Sequence, residues 1–296
     1  MDEIKYLQRP KLHQPCMIIG FEGWPNAGEV SSYSIQYLVS QLHAKHFASL
    51  SLEPFYQLSF LRPTAVIKEG RLQEIKFPTN HFYFAKRIHP HDLILFSGTE
   101  PHLQWSKFAE LFLDLAERHG VSQIVTLGGT YDYVPHTRPP VVSALFNHED
   151  LKEKVLQSGL GLTDYSGPIS IHTYLLEAAK EKGIKAISLW GHAPQYLQAK
   201  NLRVAHSMLQ HLVALTEMEI DLSPLEKASD YFDQQVNHLA QEDPKLQEVI
   251  HKLEEIYQQS SSASLSAGKD EDAKEDKVIY IKAFLKRQEE GDKGEG

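Results

Sequence analysis

Four short aliphatic runs without polar alternation constrain what this chain can fold into more than any other feature. They are Met17–Phe21, Leu93–Phe96, Gln123–Leu127 and Ala186–Trp190. A run that is apolar on both faces needs cover on both faces, which places it inside a sheet flanked by helices. Helical periodicity fills the gaps between the runs. A helix is predicted over about Val30 to Leu42. Phe108, Leu111, Phe112 and Leu115 fall at i, i+3, i+4 and i+7 before a capping Gly120, and Ile171, Tyr174, Leu175 and Ala178 repeat the spacing before Gly183. Strands alternating with helices specify an α/β domain with a mostly parallel sheet, set here at residues 1–222.

Residues 53–90 interrupt that alternation. Val66-Ile67, Leu72 to Phe77 and His81 to Lys86 read as short strands joined by turns at Glu69-Gly70 and Pro78-Thr79-Asn80. The expectation is an inserted antiparallel hairpin or sheet edge. Val141 to Phe146 is a further strand. From residue 223 the pattern is helical alone. Ser223-Pro224-Leu225-Glu226 reads as a capping box with proline at the first helical position, and Leu225, Ala228, Phe232, Val236 and Leu239 form an apolar stripe behind it. Asp243-Pro244 opens a second helix with its own stripe of Leu246, Val249, Ile250, Leu253 and Ile256. The two make a helical hairpin over residues 223–257, which needs either the core or another chain as an apolar partner. Residues 258–296 mix Ser, Asp, Glu and Lys and read as a disordered tail. One apolar island in it, Val278 to Leu285, has the chemistry to dock on a partner or on the body.

Charge narrows the classes of function. The chain carries 30 Lys and Arg against 39 Asp and Glu, a net −9, with no basic cluster, which excludes a general nucleic-acid binder. One cysteine, Cys16, excludes an intramolecular disulfide framework and a zinc site built on several thiolates. No apolar run approaches the roughly 20 residues of a membrane span, and Met1 to Lys5 lacks the pattern of a secretory signal. The expected location is cytoplasmic. His89-Pro90-His91-Asp92 has metal-ligand spacing but sits in a turn, so neither metal nor cofactor is expected.

The segments at the strand ends are rich in rigid and polar residues, and ligands of open α/β sheets bind outside those ends. The first run leads into Glu22-Gly23-Trp24-Pro25-Asn26-Ala27-Gly28, the second into Ser97-Gly98-Thr99-Glu100-Pro101, and the third into Gly128-Gly129-Thr130. Further on stand Pro135-His136-Thr137-Arg138-Pro139-Pro140 and Gly191-His192-Ala193-Pro194-Gln195-Tyr196. Flanking prolines present His136 and Arg138 rigidly. The planar Arg138 guanidinium suits a carboxylate or phosphate, or an internal ion pair with Glu22 or Glu100. Glu22, Trp24, Asn26, Glu100, His136, Arg138, His192 and Tyr196 are therefore the candidate ligand-binding rim. A His–Glu pair has the chemistry for acid–base work, with Ser97 or Thr130 as nucleophile. No known catalytic motif assigns those roles, and no catalytic residue is named.

These loops resemble the bacterial and archaeal relatives of proteasome assembly chaperone 2. The matching pieces run in order from Gly20-Phe21-Glu22-Gly23-Trp24-Pro25-Asn26-Ala27-Gly28 through Arg62-Pro63, Gly98-Thr99-Glu100-Pro101 with Trp105 and Phe108, and Leu127-Gly128-Gly129. They continue with Pro135-His136-Thr137-Arg138-Pro139, Ser166-Gly167-Pro168-Ile169 and Leu189-Trp190-Gly191-His192-Ala193-Pro194-Gln195-Tyr196, up to the helical hairpin with its Leu253-Glu254 ending. The resemblance implies a three-layer α/β/α fold similar to nucleoside phosphorylases and hydrolase-like folds, with a C-terminal helical appendage. It also implies self-association into a homo-oligomer and a non-enzymatic role in assembling a protein partner, the proteasome α-subunits. Archaeal members dock through a C-terminal hydrophobic-Tyr-any tripeptide. Here the chemistry recurs at Ile279-Tyr280-Ile281, while the sequence given closes on Gly294-Glu295-Gly296.

An assembly or scaffolding protein is thus the first reading. The alternative is a phosphorylase- or hydrolase-like enzyme, or a binder of a small anionic ligand at the rim. Relatives have also carried the label of an ATP-grasp carboxylate–amine ligase, for which this chain offers neither a glycine-rich nucleotide loop nor paired magnesium carboxylates.

Overall fold

The computed structural model describes residues 3–86 and 90–266, with side chains to Gln258. Two compact units divide the chain: residues up to 131, 140–193 and 197–232 form the first, and residues 132–139, 194–196 and those from 233 onward form the second.

In chain order the elements are β1 (Ile4–Tyr6), β2 (Cys16–Glu22), α1 (Val30–Gln41), β3 (Lys45–Leu50), β4 (Thr64–Lys68), β5 (Arg71–Lys76), β6 (His81–Ala85), β7 (Leu93–Thr99), α2 (Trp105–His119) and β8 (Gln123–Asp132). They continue as β9 (Val142–Phe146), α3 (Lys152–Gln157), β10 (Gly161–Leu162), α4 (Ile171–Glu181), β11 (Lys185–Pro194), α5 (Leu202–Thr216), α6 (Ser223–Glu242) and α7 (Pro244–Ser266). Among the described residues the main sheet has nine strands in the order β1-β3-β6-β7-β2-β8-β11-β9-β10. Its centre is parallel, with β2 paired to β7 on one side and to β8 on the other. Antiparallel pairs flank that centre, β6 with β7, β3 with β6, and β9 with β11.

Alternate residues of each central strand feed two separate cores, and this makes the first unit a three-layer α/β/α body. Cys16, Ile18, Leu93, Leu95, Val125 and Leu127 pack with Val30, Ile35 and Leu38 of α1 and with Val204, Met208 and Leu212 of α5. Met17, Ile19, Phe21, Ile94, Phe96 and Ile124 turn the other way, onto Phe108 and Phe112 of α2 and Ile171 and Leu175 of α4. The Cys16 thiol lies in the first core with its pKa pushed up to about 12 by burial, as an inert packing residue.

Two sequence expectations shift. By sequence His81 to Lys86 groups with the insertion, but β6 enters the main sheet between β3 and β7, because Phe82 and Phe84 are buried there and Phe82 packs on Phe96 and Phe112. Only β4 and β5 stand apart, as a two-stranded ribbon turning at Glu69-Gly70, both at positive φ. The start of α6 is held by Asp221 rather than by a Ser223 capping box: its Oδ1 accepts from the Ser223 backbone N–H at 2.9 Å and from the Ser223 hydroxyl at 2.6 Å. Asp243 opens α7 as the sequence indicates, accepting from the Lys245 and Leu246 N–H groups. The apolar island at 278–285 and the His89 end of the His-Pro-His-Asp turn lie outside the described residues. Among the described residues no helix is long and apolar enough to cross a membrane.

Candidate functional site

In the first unit, four of the candidate rim residues come together where β2 and β7 end side by side. The Glu100 backbone N–H donates to the Glu22 carbonyl at 2.9 Å. The Glu100 carboxylate accepts from the Ile171 N–H at the start of α4, at 2.9 Å, and from the backbone N–H of Trp24. One carboxylate thus ties three loops and complements the positive end of a helix. Partial burial outweighs these bonds and raises its pKa above the ordinary carboxylate value. The Glu22 carboxyl is raised too, by burial first and by the charge of Glu29 second.

Asn26 is likewise spent on the backbone. Its Oδ1 accepts from the Ser32 N–H at 3.0 Å and its Nδ2 donates to the Ser32 hydroxyl at 2.9 Å, fixing the entry to α1. The same loop lies against β8, with the Gly129 N–H donating to the Pro25 carbonyl at 2.8 Å. A Cβ at Gly129 would stand 2.4 Å from the Ala27 carbonyl oxygen, so only glycine allows this approach. Among the exposed residues of these segments, beside Glu22 and Glu29, are large apolar side chains: Trp24 is 62% exposed, and Tyr131, Tyr165 and Ile169 also face solvent.

His192, on β11 of the first unit, lies beside residues that the sequence did not nominate. Its Nε2 is 2.8 Å from the Ser143 hydroxyl, and Thr163 donates its hydroxyl to Ser143 Oγ at 3.0 Å. With Thr163 as donor, the Ser143 hydroxyl is oriented to donate to the imidazole, the polarity of a serine activated by a base. Antiparallel pairing of β9 with β11 sets Ser143 opposite Trp190, two residues from His192, and no spacing along the chain announces it. Neither Ser97 nor Thr130 has a base hydrogen-bonded to it among the described residues. An imidazole that the sequence did not single out, His172 near the start of α4, is fully buried between Phe21 and Trp190, and neither ring nitrogen has a hydrogen-bond partner. Burial drives its pKa down to about 3.

The remaining candidates belong to the second unit. His136 is 4% exposed. The Tyr196 hydroxyl accepts from its backbone N–H at 2.7 Å and lies 2.7 Å from Nδ1, while Nε2 is 3.2 Å from Asn237 Oδ1 on α6. A neutral ring with its hydrogen on Nε2 satisfies the set: Tyr196 donates to Nδ1 and Nε2–H donates to Asn237. Thr137 donates to the Glu254 carboxylate of α7. The Pro-His-Thr-Arg-Pro loop therefore clasps both helices of the hairpin. Arg138 closes its turn through a backbone N–H to the Pro135 carbonyl at 3.4 Å and is half-buried. His136, Thr137, Asn237 and Glu254 line a cleft of about 170 Å³.

Known proteins share this architecture. The model of the PAC2 family matches residues 20–240. A PAC2 family protein from Streptomyces avermitilis is 31% identical, with a TM-score of 0.72 over 80% of this chain and 99% of that one. An archaeal proteasome activator from Pyrococcus furiosus is 25% identical, with a TM-score of 0.64 over 81% of this chain and 99% of that one. A proteasome-assembly chaperone homologue from Mycobacterium tuberculosis, 24% identical, shares the fold at a TM-score of 0.72 over 79% and 99%. No curated protein matches the chain. With a family model spanning most of its length and a relative of the same fold above 30% identity, this chain belongs to the PAC2 family.

Proposed function

We infer that this protein is a non-catalytic assembly chaperone that works by binding protein chains, including copies of itself. One observation carries the reading. Two of the polar side chains gathered at the strand ends are spent on the chain's own backbone, Glu100 on Ile171 and Trp24 and Asn26 on Ser32, and the segments around them turn Trp24, Tyr131, Tyr165 and Ile169 outward. Exposed aromatic side chains on a rigid frame suit a protein surface better than a small anion. The similarity to a proteasome activator and to proteasome-assembly chaperone homologues supports α-type proteasome subunits as the partner class. Sedimentation of the full chain with purified α-type subunits from its own source tests this. A co-sedimenting complex that weakens at least tenfold in Trp24→Ser supports it, and subunits that sediment independently of the chain overturn it.

The Ser143–His192 pair favours a second reading, a hydrolase-like site on the first unit, with Ser143 as nucleophile and His192 as base. A fluorophosphonate probe that labels the native protein but not Ser143→Ala supports that reading. An unlabelled native protein removes it.

A further inference from the structure

The ribbon of β4 and β5 is amphipathic, and a bulge makes it so. Ala65 pairs with Ile75 and Ile67 with Leu72, but Val66 pairs with Glu74, so Gln73 is an extra residue on β5. Leu72 and Ile75, three apart, would point to opposite faces of a regular strand. The bulge resets the alternation and brings both to the face of Ala65 and Ile67. Phe77, two residues beyond Ile75, extends the row. The other face carries Lys68, Arg71, Glu74 and Lys76, with Lys76 and Glu74 ion-paired at 3.4 Å. One side of the ribbon thus carries the apolar row, and the other carries the charged residues together with Thr64 and Val66.

The apolar side is uncovered: Ile67 is 65% exposed, Leu72 59%, Ile75 50% and Phe77 52%. Among the described residues no strand of the main sheet pairs with either ribbon strand. Two strands alone are marginal in water and become stable when a hydrophobic face is packed. We propose that this face packs against the same face of a second copy of the chain, as a two-fold contact between ribbons. The proposal rests on the reading that the protein associates with its own copies, and it names the surface.

Charge and area single out the second copy. A chain of net −9 repels its copies, but residues 64–77 hold Lys68, Arg71 and Lys76 against Glu69 and Glu74, so approach at the ribbon meets no such repulsion. The apolar face itself bears no ionisable group, so two identical faces meet without opposing like charges. The exposed apolar residues of this face, Ala65, Ile67, Leu72, Ile75 and Phe77, present roughly 500 Å², more than half of the roughly 800 Å² per partner of a standard stable interface. A contact of this kind is isologous, residue i of one copy facing residue j of the other and j facing i, with only residues near the two-fold axis meeting their own mates.

Sedimentation velocity of the full chain at micromolar concentration, beside Ile67→Asp and Leu72→Asp, tests the surface. Both substitutions are on exposed positions, and unchanged melting temperatures confirm the fold. The expected result is an associating native chain and a dissociation constant raised at least tenfold in each variant. Native and variant chains that associate equally overturn the ribbon while leaving self-association standing, and a native chain that stays monomeric overturns both. Oxidative crosslinking is independent of any loss of stability. Ile67→Cys should give a disulfide-linked dimer and Val66→Cys, on the opposite face, should not. Equal crosslinking of the two overturns the proposed geometry.

Discussion

The Tyr196 hydroxyl holds His136 at two atoms, lying 2.7 Å from both its backbone nitrogen and its imidazole Nδ1. The oxygen that joins them is the only difference between tyrosine and phenylalanine. Tyr196→Phe therefore leaves two polar atoms of a buried residue without that partner, at a cost of about 1–3 kcal/mol. The midpoint of urea unfolding should fall by that amount with its slope unchanged, since the surface exposed on unfolding is the same.

Glu100 separates charge from hydrogen bonding. Its carboxylate accepts from two backbone N–H groups, and burial already disfavours its charge. Glu100→Gln keeps an acceptor oxygen for the Ile171 N–H and should lose under 1 kcal/mol, whereas Glu100→Ala leaves the Ile171 and Trp24 N–H groups without that acceptor, while Ser170 still caps α4, and should lose about 1–2 kcal/mol. Chemical denaturation followed by tryptophan fluorescence reads both, because Trp24 is bonded to the same carboxylate.

Gly129 is expected to tolerate no side chain. A Cβ 2.4 Å from the Ala27 carbonyl must push the 25–27 loop off β8, and overpacking of this kind costs about 1–3 kcal/mol. Gly129→Ala should lower the melting temperature by several degrees, and an unchanged melting point would show that the loop yields without cost.

The buried His172 gives the protein an acid limb. Its pKa is about 3 in the folded protein against 6.5 when exposed, so the unfolded chain takes up the proton first. The stability it contributes is complete above pH 6.5 and is lost progressively as the pH falls from 6.5 toward 3. At about 1.4 kcal/mol per pH unit, the loss between pH 7 and pH 5 is about 2 kcal/mol. His172→Leu removes the titration and relieves two unpartnered nitrogens, so the gap in stability between the variant and the native protein should widen by that amount at pH 5.

The two-core body was legible in the sequence because its cause is local. An aliphatic run such as Met17–Phe21 can be satisfied only between two apolar layers, and helical spacing from Phe108 to Leu115 names a face that has to meet it. Asp243-Pro244 likewise opens a helix from within its own turn. What only the tertiary structure decided are relations between residues distant in sequence. Residues 81–85 read as part of an insertion until Phe82 finds Phe96 and Phe112. The bulge at Gln73 is invisible until the partner strand sets the register, and it turns a mixed ribbon into one with an apolar face. The candidate site divides the same way. Rigid polar loops at strand ends were identifiable one by one from prolines, glycines and ionisable residues, because backbone stiffness and chemical type belong to each residue. Their use was not. Whether Glu100 binds a ligand or caps α4, whether His136 meets a substrate or Tyr196, and whether Ser143 lies beside His192 depends on which atoms arrive within 3 Å, and strand pairing and helix packing set that.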